Sequence, residues 1–180
     1  MFTDIIFIKE KKEAIDLSRK LGYNNILFLT QNNLVSNIRD INKAIKPVIV
    51  LGGNDDINRA ALSTNKVNIL LNLETKKNNG LNQVLCKLAH DNNVAIGISF
   101  NKILHEKDRY ILLSKIMQNI KLCRKYKVNV IIGSFANNIY EMISAKDLIS
   151  LMKVLGMTPL DAKNSLILIG VVFLIVGLLV

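Results

Sequence analysis

Between positions 81 and 127 the sequence changes its hydrophobic period twice, and few architectures accept that change. Residues 81–90 place apolar side chains at helical spacing, Asp91-Asn92-Asn93 interrupts them, and residues 94–100 form a near-continuous apolar run of strand length. A second, longer helical pattern follows over 108–126. Helix, turn, strand and helix in this order are the repeating unit of an α/β fold, in which a strand buried on both faces is covered by the helices around it. The same stretch carries nine Lys or Arg (Lys87, Lys102, Lys107, Arg109, Lys115, Lys121, Arg124, Lys125, Lys127) against three acids (Asp91, Glu106, Asp108), a surplus of six out of the chain's net +10. A fold unit and an anion-facing surface therefore share one segment.

The rest of the chain repeats the pattern. Residues 2–8 read as a buried strand, and 11–21, with Ala14, Ile15, Leu17 and Leu21 on one side, as a helix stopped by Gly22. Residues 25–30 and 47–51 are the second and third strands, with Pro47 at a strand start where its missing N–H costs little. Residues 33–45 are too polar to assign. Gly52-Gly53-Asn54-Asp55-Asp56 is a turn feeding a helix over 57–62; 67–73 is the fourth strand, 76–80 a loop, and 94–100 and 128–133 the fifth and sixth strands.

The helix over 108–126 turns Leu112, Ile116, Ile120 and Cys123 to the core and Ser114, Gln118, Lys121 and Lys125 away from it. Ser144 and Asp147 have the S-x-x-D spacing of a capping box, opening a helix whose stripe Leu148, Leu151, Met152 and Leu155 ends at Gly156. Pro159 begins a last short helix. These patterns predict a parallel sheet covered by helices, and periodicity alone fits an open three-layer sheet and a βα barrel equally. We read residues 1–164 as one domain and 165–180 as an apolar C-terminal tail.

Composition narrows the chemistry. Half the 180 residues are hydrophobic and 21% charged, which excludes general disorder. A net charge of +10 makes a polyanion the expected partner, either RNA or an anionic membrane surface. The two cysteines, Cys86 and Cys123, sit inside apolar helical patterns far from any Cys-x-x-Cys spacing, and read as buried thiols. The two histidines, His90 and His105, belong to no metal-binding pattern, and no Gly-x-Ser-x-Gly occurs. No catalytic residue, metal ligand or bound cofactor is expected.

Lys121, Arg124 and Lys125, at i, i+3 and i+4, bring three cations together on one helical turn, where they either meet phosphates or simply complement the helix dipole. The glycines at 52 and 53 could admit a phosphate, but Asp55 and Asp56 beside them argue against an anion.

Asp4 and the run Lys9-Glu10-Lys11-Lys12 do not fit a secretory leader, which suggests a cytoplasmic protein. Residues 166–180 contain no charge; as a helix they span about 22 Å, short of the ~30 Å hydrocarbon core, so the tail reads as an anchor entering the membrane, as a last buried element or as an atypical C-terminus.

Three strings, in order, resemble one family. Val84-Leu85-Cys86-Lys87-Leu88-Ala89 with Asn93-Val94-Ala95-Ile96-Gly97 is the first. Leu122-Cys123-Arg124-Lys125-Tyr126-Lys127-Val128 leading into Val130-Ile131-Ile132-Gly133-Ser134 is the second. Asp147-Leu148-Ile149-Ser150, Val154-Leu155-Gly156-Met157 and Asp161-Ala162-Lys163 make the third. Together they resemble the ribonuclease P protein component 3 family.

The resemblance implies a TIM-like βα barrel, incomplete or distorted if six units compose it. It also implies a protein subunit of the RNA-based enzyme that removes the 5′ leader of precursor tRNA, with catalysis and Mg²⁺ belonging to the RNA and a small RRM-like protein as partner. Matching positions make Lys87, Arg124, Lys125 and Lys163, with Lys121 beside them, the candidate RNA contacts. Asp147 also matches, either as a functional residue or as a helix cap. Family members commonly read Arg-Ser-Pro before that aspartate; here Ile143-Ser144-Ala145-Lys146 stands there, so the arginine is lost and Lys146 could replace its charge. Two other readings stay open, a stand-alone βα-barrel enzyme acting on a phosphorylated small molecule at Gly52-Gly53 or Gly133-Ser134, and a membrane-tethered scaffold.

Overall fold

The computed structural model describes residues 1–9 and 11–174. Seven parallel strands, β1 (Thr3–Ile6), β2 (Asn25–Phe28), β3 (Leu34–Val35), β4 (Ile49–Leu51), β5 (Ile69–Leu71), β6 (Ala95–Ser99) and β7 (Val130–Gly133), follow one another with helices between them. The helices are α1 (Lys11–Lys20), α2 (Asp55–Leu62), α3 (Gln83–Asp91), α4 (Phe100–His105), α5 (Arg109–Tyr126), α6 (Ala145–Val154) and α7 (Pro159–Leu174). One ladder runs β3-β4-β5-β6-β7 and a second pairs β1 with β2.

The two are stitched just beyond β7. Phe135 N–H donates to Ile5 O and Phe7 N–H to Ala136 O, each at 2.8 Å, and Ile6 forms a parallel bridge with Ala136. The strands therefore follow a barrel order β2-β1-β7-β6-β5-β4-β3, with no ladder between β2 and β3 among the described residues. This is the incomplete, TIM-like βα barrel that the resemblance implies.

Alternation along the strands splits the core. Ile49, Ile69, Leu71 and Ala95 belong to one buried cluster, while Val50, Leu70 and Ile96 join another with Cys86 and Cys123 from α3 and α5. Each fully buried aliphatic side chain contributes about 1.5–3 kcal/mol. Gly97 makes room for the first set, since a Cβ there would lie 2.7 Å from Ile69 Cγ2 and 2.8 Å from Leu71 Cδ1.

The structure corrects the sequence reading in four places. The strands are shorter than the apolar runs, because pairing ends before hydrophobicity does. The unassigned span 33–45 holds a seventh strand, β3, of only two residues, held near the buried Asn33, whose amide donates to Ile45 O and Pro47 O. α4 is an additional helix, capped by Ser99 Oγ accepting from Lys102 N–H. The final helix is not short: α7 runs from Pro159 through position 165, and Ser165 and Leu166 are buried, so the beginning of the apolar tail belongs to the barrel's covering layer. Among the described residues no helix is long and apolar enough to cross a membrane; residues 175–180 of the tail lie outside them.

Candidate nucleic-acid interface

The cationic turn is built by the way α5 ends. Val128 N–H donates to Cys123 O at 2.9 Å and Lys127 N–H to Arg124 O at 3.5 Å, the paired bonds of a Schellman stop, with Lys127 in the left-handed conformation at φ +55°. Glycine or asparagine usually takes that place, so a lysine holds it at a cost in backbone strain. Lys121, Arg124, Lys125 and Lys127 are exposed, and none makes an ion pair among the described residues. The Lys125 ammonium lies 5.5 Å from the centroid of the half-buried Tyr126 ring, a cation–π contact.

A groove of about 320 Å³ opens between this end of α5 and the start of α7. Arg124 and Lys127 line one side, Asp161 and Asn164 the other, over Ile120, Cys123, Val128 and Met157.

The other candidate cations are spread around this centre. Lys87 is exposed on α3, which packs against α5; Lys163 is exposed on α7 beside the groove residues but does not line the groove. Three further cations of the 81–127 segment are engaged within the protein. Lys102 Nζ is 3.0 Å from Glu74 Oε2, Lys115 Nζ donates to Thr75 O at 2.7 Å and Lys76 O at 3.2 Å, and Arg109 donates to Leu104 O at 2.6 Å. Lys102 and Lys115 organise the loop after β5, together with the buried Asn119, which exchanges hydrogen bonds with Asn79, and Arg109 holds the α4–α5 junction. Lys127 and these internal roles were not legible in sequence, because helical spacing does not say where a helix stops or what its side chains reach.

At the opposite, C-terminal ends of the strands, both glycine turns are filled by the chain's own side chains. Buried Asn58 accepts from Gly53 N–H at 3.2 Å and donates to Leu73 O at 2.8 Å; a Cβ on Gly52 would lie 2.4 Å from Asn58 Oδ1, so that glycine admits an amide and not a phosphate. After β7, Ser134 donates its N–H to Asp4 Oδ1 and its hydroxyl to Asp4 Oδ2, both at 2.7 Å. A buried carboxylate already on those donors leaves no place for an anion, which removes the physical basis for a phosphorylated substrate at either turn.

Burial is also what raises the Asp4 carboxyl to about 6, with the Ser134 and Ile5 hydrogen bonds pulling the other way. Glu141, between α4 and α6, accepts from Asn101, Asn137 N–H and His105. Burial acts to raise its carboxyl, but Asn137, His105 and Asn138 together hold it below the usual range. Neither hub was singled out from sequence.

Ser144 caps α6, accepting from Asp147 N–H at 3.1 Å and donating to Asp147 Oδ2 at 2.6 Å, so that carboxylate is engaged at the cap. Ile143, at the position where the resemblance leads one to expect arginine, packs against the main core cluster, and its carbonyl accepts from the buried Tyr23 hydroxyl at 2.9 Å; Lys146 is exposed. Phe100 is half-buried against the same core cluster. Cys86 and Cys123 are buried and free, and burial pushes the Cys86 thiol up to about 11 and Cys123 further still. His90 pairs with Asp91 at the end of α3, at 3.2 Å. Among the described residues no three His, Cys, Asp or Glu side chains converge as a metal site.

Comparisons with known proteins agree with this geometry. The profile of the family described as RNase P subunit p30 matches residues 26–169. Ribonuclease P protein component 3 of Methanosarcina barkeri is 36% identical over 126 residues, covering 69% of this chain and 53% of that protein. Its counterpart in Methanosarcina acetivorans is 35% identical over 137 residues (75% and 57%), and that of Methanococcus vannielii 31% over 147 residues (75% and 64%). The chain thus spans between about half and two thirds of the length of these relatives. A chain in the cryo-EM structure of archaeal ribonuclease P with mature tRNA superimposes with a TM-score of 0.81 at 26% identity, covering 94% of this chain and 89% of the other. A match running from β2 into α7, on a barrel of the same shape, decides the family: this chain belongs to the RNase P subunit p30 family.

Proposed function

We propose that this chain is a non-catalytic protein subunit of ribonuclease P, bracing the catalytic RNA of the enzyme that removes the 5′ leader of precursor tRNA. The observation that carries this reading is the set of exposed cations at the end of α5, none of them in an ion pair among the described residues, on a fold superimposable on a chain of archaeal ribonuclease P. Structured RNA is held largely through its phosphates and shape, and such a turn neutralises phosphates without any bond-breaking group. Lys87 and Lys163 extend the contact to either side. The chain itself binds no cofactor; Mg²⁺ is held by the RNA, and protein cations lower the concentration it needs. A small RRM-like subunit is the protein partner, and the assembly works in the cytoplasm.

The test is the salt dependence of binding to a ribonuclease P RNA. Replacing Lys121, Arg124 and Lys125 together by alanine should flatten the slope of log K against log salt by about 2–3, at roughly one per phosphate contact, with the folded baseline unchanged. Leader removal by the reconstituted enzyme should then need more Mg²⁺. An unchanged slope would refute this surface.

A further inference from the structure

We infer that the groove between α5 and α7 receives a single unpaired nucleotide of the bound RNA, with guanine preferred; the inference rests on the RNA-binding role proposed above and adds the identity of the ligand. The groove has two chemically different sides. Arg124 and Lys127 offer cations from α5, and Asp161 and Asn164 offer a carboxylate and an amide from α7. These opposite charges face one gap, yet no ion pair joins them among the described residues. Ile120 and Met157, both buried, form part of its apolar floor.

A nucleotide has the matching polarity, with a phosphate at one end, an apolar ring face, and a hydrogen-bonding edge at the other. The Asp161 carboxylate selects among bases. It can only accept hydrogen bonds, and guanine alone presents two adjacent donors, N1–H and the N2 amine, to its two oxygens, whereas the adenine and cytosine edges each present one amine. A free phosphate does not fit this description, because the carboxylate would repel it.

Lys127 supplies a second, independent observation. A residue at φ +55° that closes a Schellman stop would be less strained as glycine, and the lysine instead sets a charge at the groove. Strain held at a residue lining a cleft points to use of that side chain.

The test uses the full chain and fluorescently labelled ten-residue oligouridylates with one central guanosine, adenosine or cytidine, followed by anisotropy, with free guanosine 5′-monophosphate as a separate arm. The guanosine oligomer should bind about tenfold more tightly than the adenosine oligomer. Asp161→Asn should remove that preference, bringing the guanosine, adenosine and cytidine oligomers to within about twofold of one another. Lys127→Gly should weaken every oligomer several-fold while the melting temperature holds or rises, which separates lost charge from lost fold. With ¹³C-methyl-labelled methionines, the Met157 signal should shift on adding the guanosine oligomer and the Met152 signal should not.

Equal affinity for all bases, or a guanine preference that survives Asp161→Asn, would overturn the inference. So would free guanosine monophosphate binding as tightly as the oligomer, because the site would then serve a small ligand. If base preference is absent while ribonuclease P RNA still binds with a steep salt slope, only the groove assignment falls. If that RNA does not bind either, the RNA-bracing role falls with it.

Discussion

Asp4 gives the sharpest test of the barrel's closure. It stands in β1 with no exposed surface, and its oxygens accept from Ser134 N–H, Ser134 Oγ–H and Ile5 N–H where β1 meets the end of β7. Loss of hydration dominates these bonds, so the carboxyl titrates at about 6 in the fold against an ordinary value of 3.8. Two pH units at 1.36 kcal/mol each correspond to about 3 kcal/mol.

The sign follows from where the proton is held. Between pH 4 and 6 the folded chain keeps a proton that the unfolded chain has released, so the contribution is fully present below about pH 3.8 and is lost as pH rises through about 6. Asp4→Asn keeps an oxygen to accept from the two backbone N–H groups and has no charge to desolvate. Its amide faces Ser134 Oγ, which can turn to accept. The variant should therefore match the parent near pH 4 and exceed it by up to about 3 kcal/mol at pH 7.5. Urea unfolding followed by far-ultraviolet circular dichroism at several pH values measures both. Carboxylates that titrate alike in the two proteins, Glu141 among them, cancel in the difference. A difference that does not change with pH would refute the reasoning, since it would mean that the hydrogen bonds fully offset the loss of hydration.

Two further outcomes follow from local geometry. Gly80 and Gly156 both have positive φ, at +79° and +104°, but a Cβ on Gly80 would lie 2.0 Å from Leu73 O whereas one on Gly156 meets nothing within 4 Å; Gly156→Ala should cost about 1 kcal/mol and Gly80→Ala clearly more, measured by urea unfolding. Cys86 and Cys123 should resist an aromatic disulfide reagent at pH 8 and react together once urea unfolds the chain; rapid labelling of either in the native protein would contradict their burial.

The α/β class was readable because strands buried on both faces and one-sided helices leave different periods in sequence, as in residues 94–100 against 108–126. The quoted strings lie between Val84 and Lys163, and the family match extends to residues 26–169, beyond them at both ends. β3 escaped because two residues carry no period, and its support comes from Asn33, whose bonds to Ile45 and Pro47 cross a dozen or more positions. Asp4 and Asn58 escaped for a related reason. An Asp in an apolar strand and an Asn in a polar helix look like ordinary surface residues until the fold brings Ser134, 130 positions away, and Gly53 onto them. The cap at Ser144 was readable because its partner, Asp147, is three residues on.

What the cations can do depends on which of them the fold leaves free. A sum over residues 81–127 gives one basic segment, but Lys102, Lys115 and Arg109 are used inside the protein to hold the loop after β5 and the α4–α5 junction, where they satisfy carbonyls and one carboxylate. Lys121, Arg124, Lys125 and Lys127 remain open to solvent on one helix end, at the pole of the barrel opposite the two filled glycine turns. A carbonyl-rich helix end surrounded by unpaired cations would be an odd arrangement for stability alone, since the dipole needs only one or two of them at ~0.3–1 kcal/mol each. Four cations at one stop, one of them in a left-handed conformation, instead suit the phosphate contacts proposed for the end of α5, and the Asp161 carboxylate lines the same groove as Arg124 and Lys127.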